Sequence, residues 1–279
     1  YAVGSLLALL FLAAGLGASV FHLGRPERAW RAATQWRTSW LSREVIALPM
    51  TMFFVFLYGT AHYLGWNIDL LGDARPDQLT LVLGAFGTVA TLALFLCTGM
   101  IYAAIKFLQE WATPLTVINY LLLGTASGFC LATAFAEFKA PQLVSFYGIW
   151  AVVLTIAAFA TRSASLIRNA RIKRKSTVQT AIGVRHPTIA QKSMGMMGGS
   201  YNTREFFHGK TAAFLRSVRW IFLVTVFPLP VLLLWGGMSA HSTALLLAAF
   251  IVQYAGLLFE RWFFFAQANH PQNIYYQTV

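Results

Sequence analysis

The chain has 279 residues, 58% of them apolar and only 11% charged, with a formal charge of +12. Soluble domains carry about 25% charged residues, and here the deficit extends over most of the length, which excludes a set of soluble domains and indicates a polytopic membrane protein. No aromatic-basic binding module accompanies the positive charge, so nucleic acid is excluded as a partner; the basic residues flank apolar runs, where membrane topology accounts for them.

About 20 apolar residues cross a bilayer core as a helix. Span A, Tyr1–Phe21, leads into "FHLGRPERAWRAATQWRTSWLSREV" (Phe21–Val45), which holds five arginines, three tryptophans, one histidine and two glutamates. Span B follows at Glu44–Tyr63 and span C at Gln78–Ala104. Span D, Leu115–Ala136, carries "GTASG", whose Gly124 and Gly128 are spaced to let a neighbouring helix approach closely. Span E is Val144–Ser165. Span F, Trp220–Trp235, is short and contains Pro228 and Pro230, which predict a kink. Span G is Thr243–Phe264. The expected fold is all-α: a bundle of seven transmembrane helices forming one membrane domain over residues 1–279.

The spans leave loops A–B, C–D and E–F and the C-terminal tail on one face. Of the 21 Lys and Arg residues, all but Arg75 and Lys139 belong to that face, while Asp69, Asp73, Asp77 and Glu137 lie on the other. Positive residues mark the cytoplasmic side. Residues 166–218 form a long basic cytoplasmic loop between spans E and F, containing "RIKRKSTVQTAIGVRHPTIAQKSMGMMGGSYNTREFFHGK". Its "GMMGGS" is not a phosphate loop, since no GK[ST] follows and no strand precedes it. The loop is either solvated or a docking surface for a soluble subunit, and its length favours docking.

Cys97 and Cys130 lie inside apolar runs 33 positions apart. Iron–sulfur and zinc sites need clustered ligands, so neither is expected from this chain alone, and the cysteines read as small core residues.

His22 ends span A and Glu44 begins span B, both where the bilayer core gives way to headgroups. Imidazole exchanges a proton near neutral pH, and a carboxylate is favoured at the positive end of a helix dipole. Such a pair suits a quinone, whose two-electron chemistry needs proton donors and acceptors at both ring oxygens. Arg25, Arg28, Trp40 and Arg43 flank the pair and offer positive charge and a ring face to the same molecule or to lipid phosphates. The plainer reading of these residues is an interfacial histidine within an Arg/Trp headgroup anchor.

"HLGRPERAWRA…SWLSREV" resembles the membrane anchor family of dimethyl sulfoxide reductase, in which HLG-x-P-x-RA precedes a loop and LS-x-E. "MIYAAIKFLQEWATPLT" (Met100–Thr116) is similar to the family's Tyr…Trp-x-TPL element, placing Tyr102 and Trp111 at matching positions. The resemblance covers nearly the whole chain. It implies eight spans, with one expected upstream of Tyr1, in a bacterial inner-membrane protein without redox centres of its own. That protein binds a quinone (ubiquinone or menaquinone), with His22 and Glu44 as the functional residues. It anchors a four-cluster iron–sulfur subunit and a molybdopterin catalytic subunit, which hold the clusters and the molybdenum cofactor. The cytoplasmic sidedness and the long basic loop resemble the branch that anchors sulfite dehydrogenase more than the periplasm-facing reductase.

Two other classes compete. A haem b anchor needs paired histidines at facing depths inside helices; His62 and His241 share the non-cytoplasmic boundary but read more simply as two interfacial histidines, so no haem is expected. A transporter would show charges near mid-bilayer in repeated halves; the charges here lie at span ends and no repeat is visible. Glu260 and Arg261 read as a local pair near the cytoplasmic end of span G.

Overall fold

The computed structural model describes residues 1–21, 23–66, 68, 78–173, 177–189 and 211–270. Among them seven helical stretches are long and apolar enough to cross a bilayer. The protein is an all-α, multi-pass membrane protein. Its contacts divide the chain into two compact units, Tyr1–Ile101 and Tyr102–Val279.

The first unit contains α1 (Ala2–Phe21), a 3-10 segment (Pro26–Gln35), α2 (Trp40–Leu64) and all but the last two residues of α3 (Gln78–Ala103). Helix α2 starts four residues before the expected Glu44, because the Ser39 hydroxyl accepts the Ser42 N–H at 3.3 Å and caps it there. It ends at Gly65, whose φ of +64° is a left-handed conformation that glycine adopts without penalty. Helices α1 and α2 meet where Gly59 leaves room for Ser5: a Cβ at residue 59 would lie 2.7 Å from Ser5 Cβ.

The second unit contains α4 (Pro114–Lys139), a 3-10 turn (Pro141–Leu143), α5 (Val144–Ala170), the short α6 (Val178–Ile182), α7 (Ala212–Val226), α8 (Pro228–Ser239) and α9 (Thr243–Ala266). The buried residues of α5 fall at 144, 148, 151, 155, 158, 162 and 165, and those of α9 at 246, 249, 253, 256, 260 and 264, with Ala266 buried beyond them at the helix end. Steps of three and four keep one stripe of each helix turned inward. Most of these residues are small, as expected where helices in a bilayer gain from close backbone approach.

That close approach is not made at Gly128, which is exposed and has no atom within 4 Å of an added Cβ. The inward stripe of α4 is instead Ala126, Cys130 and Ala134. The tight glycine contacts in this unit are at Gly148 against Met238, Gly237 against Leu246, and Gly256 against Thr225 and Val226.

Two span limits also differ. Helix α5 continues past Ser165 to Ala170, since no breaker lies in that stretch, and α7 begins at Ala212 because Thr211 caps it by accepting the Phe214 N–H at 3.1 Å. Both extensions carry arginines that a hydropathy window trims away. The expected kink is present: the helix breaks at Phe227, between α7 and α8.

Candidate functional site

In the first unit, Arg43 lies at the joint between the 3-10 segment and α2. Its Nε and Nη2 donate to the carbonyls of Trp36 and Arg37, each at 2.9 Å, and its guanidinium lies 4.2 Å from the Trp40 ring centroid. Two of its five N–H donors are thus committed to the backbone, which fixes the start of α2. Glu44 falls in the second turn, beyond most of the reach of the helix dipole. Its partner is Thr98 near the end of α3, whose hydroxyl donates to Oε1 at 2.5 Å.

The Thr98 hydroxyl has a second acceptor, the Leu94 carbonyl at 3.0 Å. A hydroxyl has one proton and two lone pairs. With Glu44 ionised, that proton points to the carboxylate. With Glu44 protonated, the carboxyl donates to Thr98 Oγ1 and the Thr98 proton turns back to Leu94. Either protonation state of Glu44 therefore keeps a hydrogen bond to Thr98.

The other expected residues of this unit are placed differently. Arg25 starts the 3-10 segment without a side-chain cap, and Arg28 Nε lies 3.8 Å from Glu27 with both side chains more than half exposed. Trp30 and Trp36 are exposed beside Arg31 and Arg37, at 5.6 and 5.4 Å from guanidinium to ring centroid. This pattern is that of a headgroup-level surface. His22 lies outside the described residues.

In the second unit, Tyr102 and Trp111 come together edge to face with centroids 5.4 Å apart. Trp111 is buried, stacks on Phe264 at 5.2 Å, and donates its indole N–H to the Phe264 carbonyl at 3.0 Å. Tyr102 stacks on Tyr120 at 5.7 Å, and Tyr120 lies 4.2 Å beneath the Arg261 guanidinium. Arg261 pairs with Glu260, whose other oxygen lies 2.7 Å from Arg162 Nε. That last contact is too poorly aligned to be a hydrogen bond and is chiefly Coulombic.

The expected Glu260–Arg261 pair is therefore a triad with Arg162. Glu260 and Arg162 are fully buried at 0% and 2% exposure. Arg162 is a charge within a span and not at its end, since α5 runs on to Ala170, about two turns beyond it. Thr98 and Tyr120 carried no sequence signal, since a threonine or tyrosine within an apolar span is unremarkable. Arg162 did carry one, because an arginine inside a span is rare without a partner. Of the two histidines weighed for haem, His62 stacks on Tyr1 at 4.6 Å and packs edge-on to Tyr58, while His241 Nδ1 lies 3.5 Å from Glu137.

Residues 2–267 match the family model described as DMSO reductase anchor subunit (DmsC). The chain belongs to the DmsC family. The DmsC-type chain is also 62% identical, over 281 aligned positions, to a sulfite dehydrogenase subunit of Allochromatium vinosum, with all of this chain and 86% of that protein covered. No solved structure matches it. The motifs that carry the DmsC resemblance, from HLG to LS-x-E and from Tyr102 to Leu115, thus belong to one continuous match.

Proposed function

We propose that this DmsC-family chain is the quinone-reactive membrane anchor of a sulfite:quinone oxidoreductase in a bacterial inner membrane. The observation that carries the reading is the 62% identity with a sulfite dehydrogenase subunit across the whole chain. Its partners on this reading are an iron–sulfur subunit with four clusters and a molybdopterin catalytic subunit, docked on the basic face.

A bound quinone would accept two electrons from the partner's terminal cluster and two protons from its surroundings. Glu44 fits the proton role because Thr98 satisfies its carboxyl in both protonation states. His22, immediately before the Leu23–Gly24 of the HLG motif, is the second proton group. Trp40 and Arg43 hold the start of α2, and with it Glu44, in place; Arg25 and Arg28 supply positive charge at the headgroup level. Tyr102 and Trp111 pack together just before α4, where Trp111 is immobilised by its bond to Phe264.

The decisive experiment purifies the intact complex and compares sulfite-dependent quinone reduction with quinol-dependent reduction of dimethyl sulfoxide, the reaction that the family's description suggests. Sulfite oxidation coupled to quinone is expected. The variant His22→Ala should lose that coupling while retaining sulfite oxidation with soluble dyes. Dimethyl sulfoxide reduction without sulfite oxidation would replace this reading with the reductase one.

A further inference from the structure

We propose that the second unit holds a selective site for one anionic phospholipid, with the headgroup phosphate between α7 and α9 and an acyl chain in the groove between α5 and α7–α8. The headgroup end is a cleft of about 260 Å³ lined by Arg216, Arg219, Phe263 and Gln267. Among the described residues no carboxylate pairs with Arg216 or Arg219, and the buried Gln267 Nε2 has no acceptor. Both charged groups of this cleft are positive and Gln267 adds an amide N–H, which a phosphodiester complements with acceptor oxygens and a negative charge.

Arg219 also lines a second, larger groove of about 570 Å³. Apart from Arg219, Thr155 and Ser163 its lining is apolar, including Phe159, Leu223, Phe227 and Val231. The Thr155 hydroxyl is already engaged, donating to the Ala151 carbonyl at 2.7 Å. Along α5 the groove runs from Ile167 to Thr155, roughly 18 Å at 1.5 Å per residue. One leaflet is about half of a ~30 Å hydrocarbon core, so the groove matches a single acyl chain descending from the headgroup level. It borders the break between α7 and α8, with Phe227 and Pro228 both in its lining. Trp220 stands at the mouth, 57% exposed and 5.7 Å from the Arg219 guanidinium, where tryptophan favours the membrane interface. The adjoining arginine cleft and one-leaflet groove separate this feature from general lipid contact, which needs neither.

The test exchanges the intact complex into an equimolar mixture of phosphatidylglycerol and phosphatidylethanolamine in mild detergent and counts bound lipids by native mass spectrometry. One phosphatidylglycerol per anchor is expected to be retained with a preference of about tenfold. The double variant R216Q/R219Q should reduce that preference to about one, with recovery of the complex unchanged. Val224→Trp, which fills the groove and leaves the arginines in place, should also release the lipid. No preference in the unaltered complex overturns the proposal without recourse to variants. So does full retention in Val224→Trp, or a photo-crosslinker at Trp220 that captures a quinone or a protein subunit in place of phospholipid.

Discussion

Gln253 on α9 donates to the carbonyl of Val226 at 3.2 Å, the acceptor that Pro230 leaves without its helical donor. A proline at position i has no N–H for the carbonyl at i−4. The same side-chain nitrogen reaches Thr155 Oγ1 on α5 at 3.1 Å, so one buried amide joins α5, α9 and the break between α7 and α8. The break that borders the lipid groove is therefore held by a residue on another helix.

Gln253→Leu is expected to lower the melting temperature of the solubilised complex. Leaving a buried carbonyl unpartnered costs about 1–3 kcal/mol, and interhelical bonds in bilayers average about 0.6 kcal/mol, so the loss should lie toward the lower end. Adding Pro230→Ala restores an N–H for Val226 and should recover part of it. Identical melting of the single variant and the parent would show that the bond contributes nothing.

Glu44→Gln keeps the side-chain shape but cannot take a proton. Quinone-coupled turnover is expected to fall by about 100-fold or more and to lose a limb of its pH profile, with dye-linked oxidation unchanged. Thr98→Val removes the switching hydroxyl and should cause a smaller loss, which Thr98→Ser repairs. A full-activity Glu44→Gln enzyme with the parental pH profile would remove Glu44 from the mechanism.

Glu260→Gln leaves the buried Arg162 and the partly buried Arg261 without a counter-charge. Breaking a buried ion pair in this way costs about 3–5 kcal/mol, so the yield of assembled complex and its thermal stability should both drop sharply. An assembled complex with unchanged stability would mean that the triad is not held as described.

Gly256→Ala places a Cβ against Thr225 and within 2.9 Å of Val226 Cγ2. Overpacking of this kind costs about 1–3 kcal/mol, read as a lower melting temperature. Gly128→Ala meets no neighbour and should be neutral or slightly stabilising through helix propensity. The reverse order would contradict the helix contacts.

Single cysteines at Ser176 and Asp73 test the sidedness that the charge distribution implies. With the basic face in the cytoplasm, a membrane-impermeant thiol reagent added to intact cells should label residue 73 and spare residue 176. Labelling at 176 alone would put the basic face outside and favour the periplasm-facing reductase reading.

The sequence by itself determined the number of spans, their order and the uneven distribution of charge, because crossing a bilayer requires a run of apolar residues that composition reveals directly. It also carried the family through contiguous motifs. The start of α2 depended on one hydroxyl at Ser39, a local signal that a hydropathy window averages away. What only the tertiary structure decided were relations between distant positions. Glu44 finds Thr98 from 54 residues away, Arg162 meets Glu260 across two helices, and Gly256, rather than Gly128, admits a neighbouring helix. In an apolar span nearly every residue satisfies the bilayer equally well. The choice of which side turns inward, and so which polar groups meet, is made by helix-to-helix packing, and the sequence of a single span does not contain it.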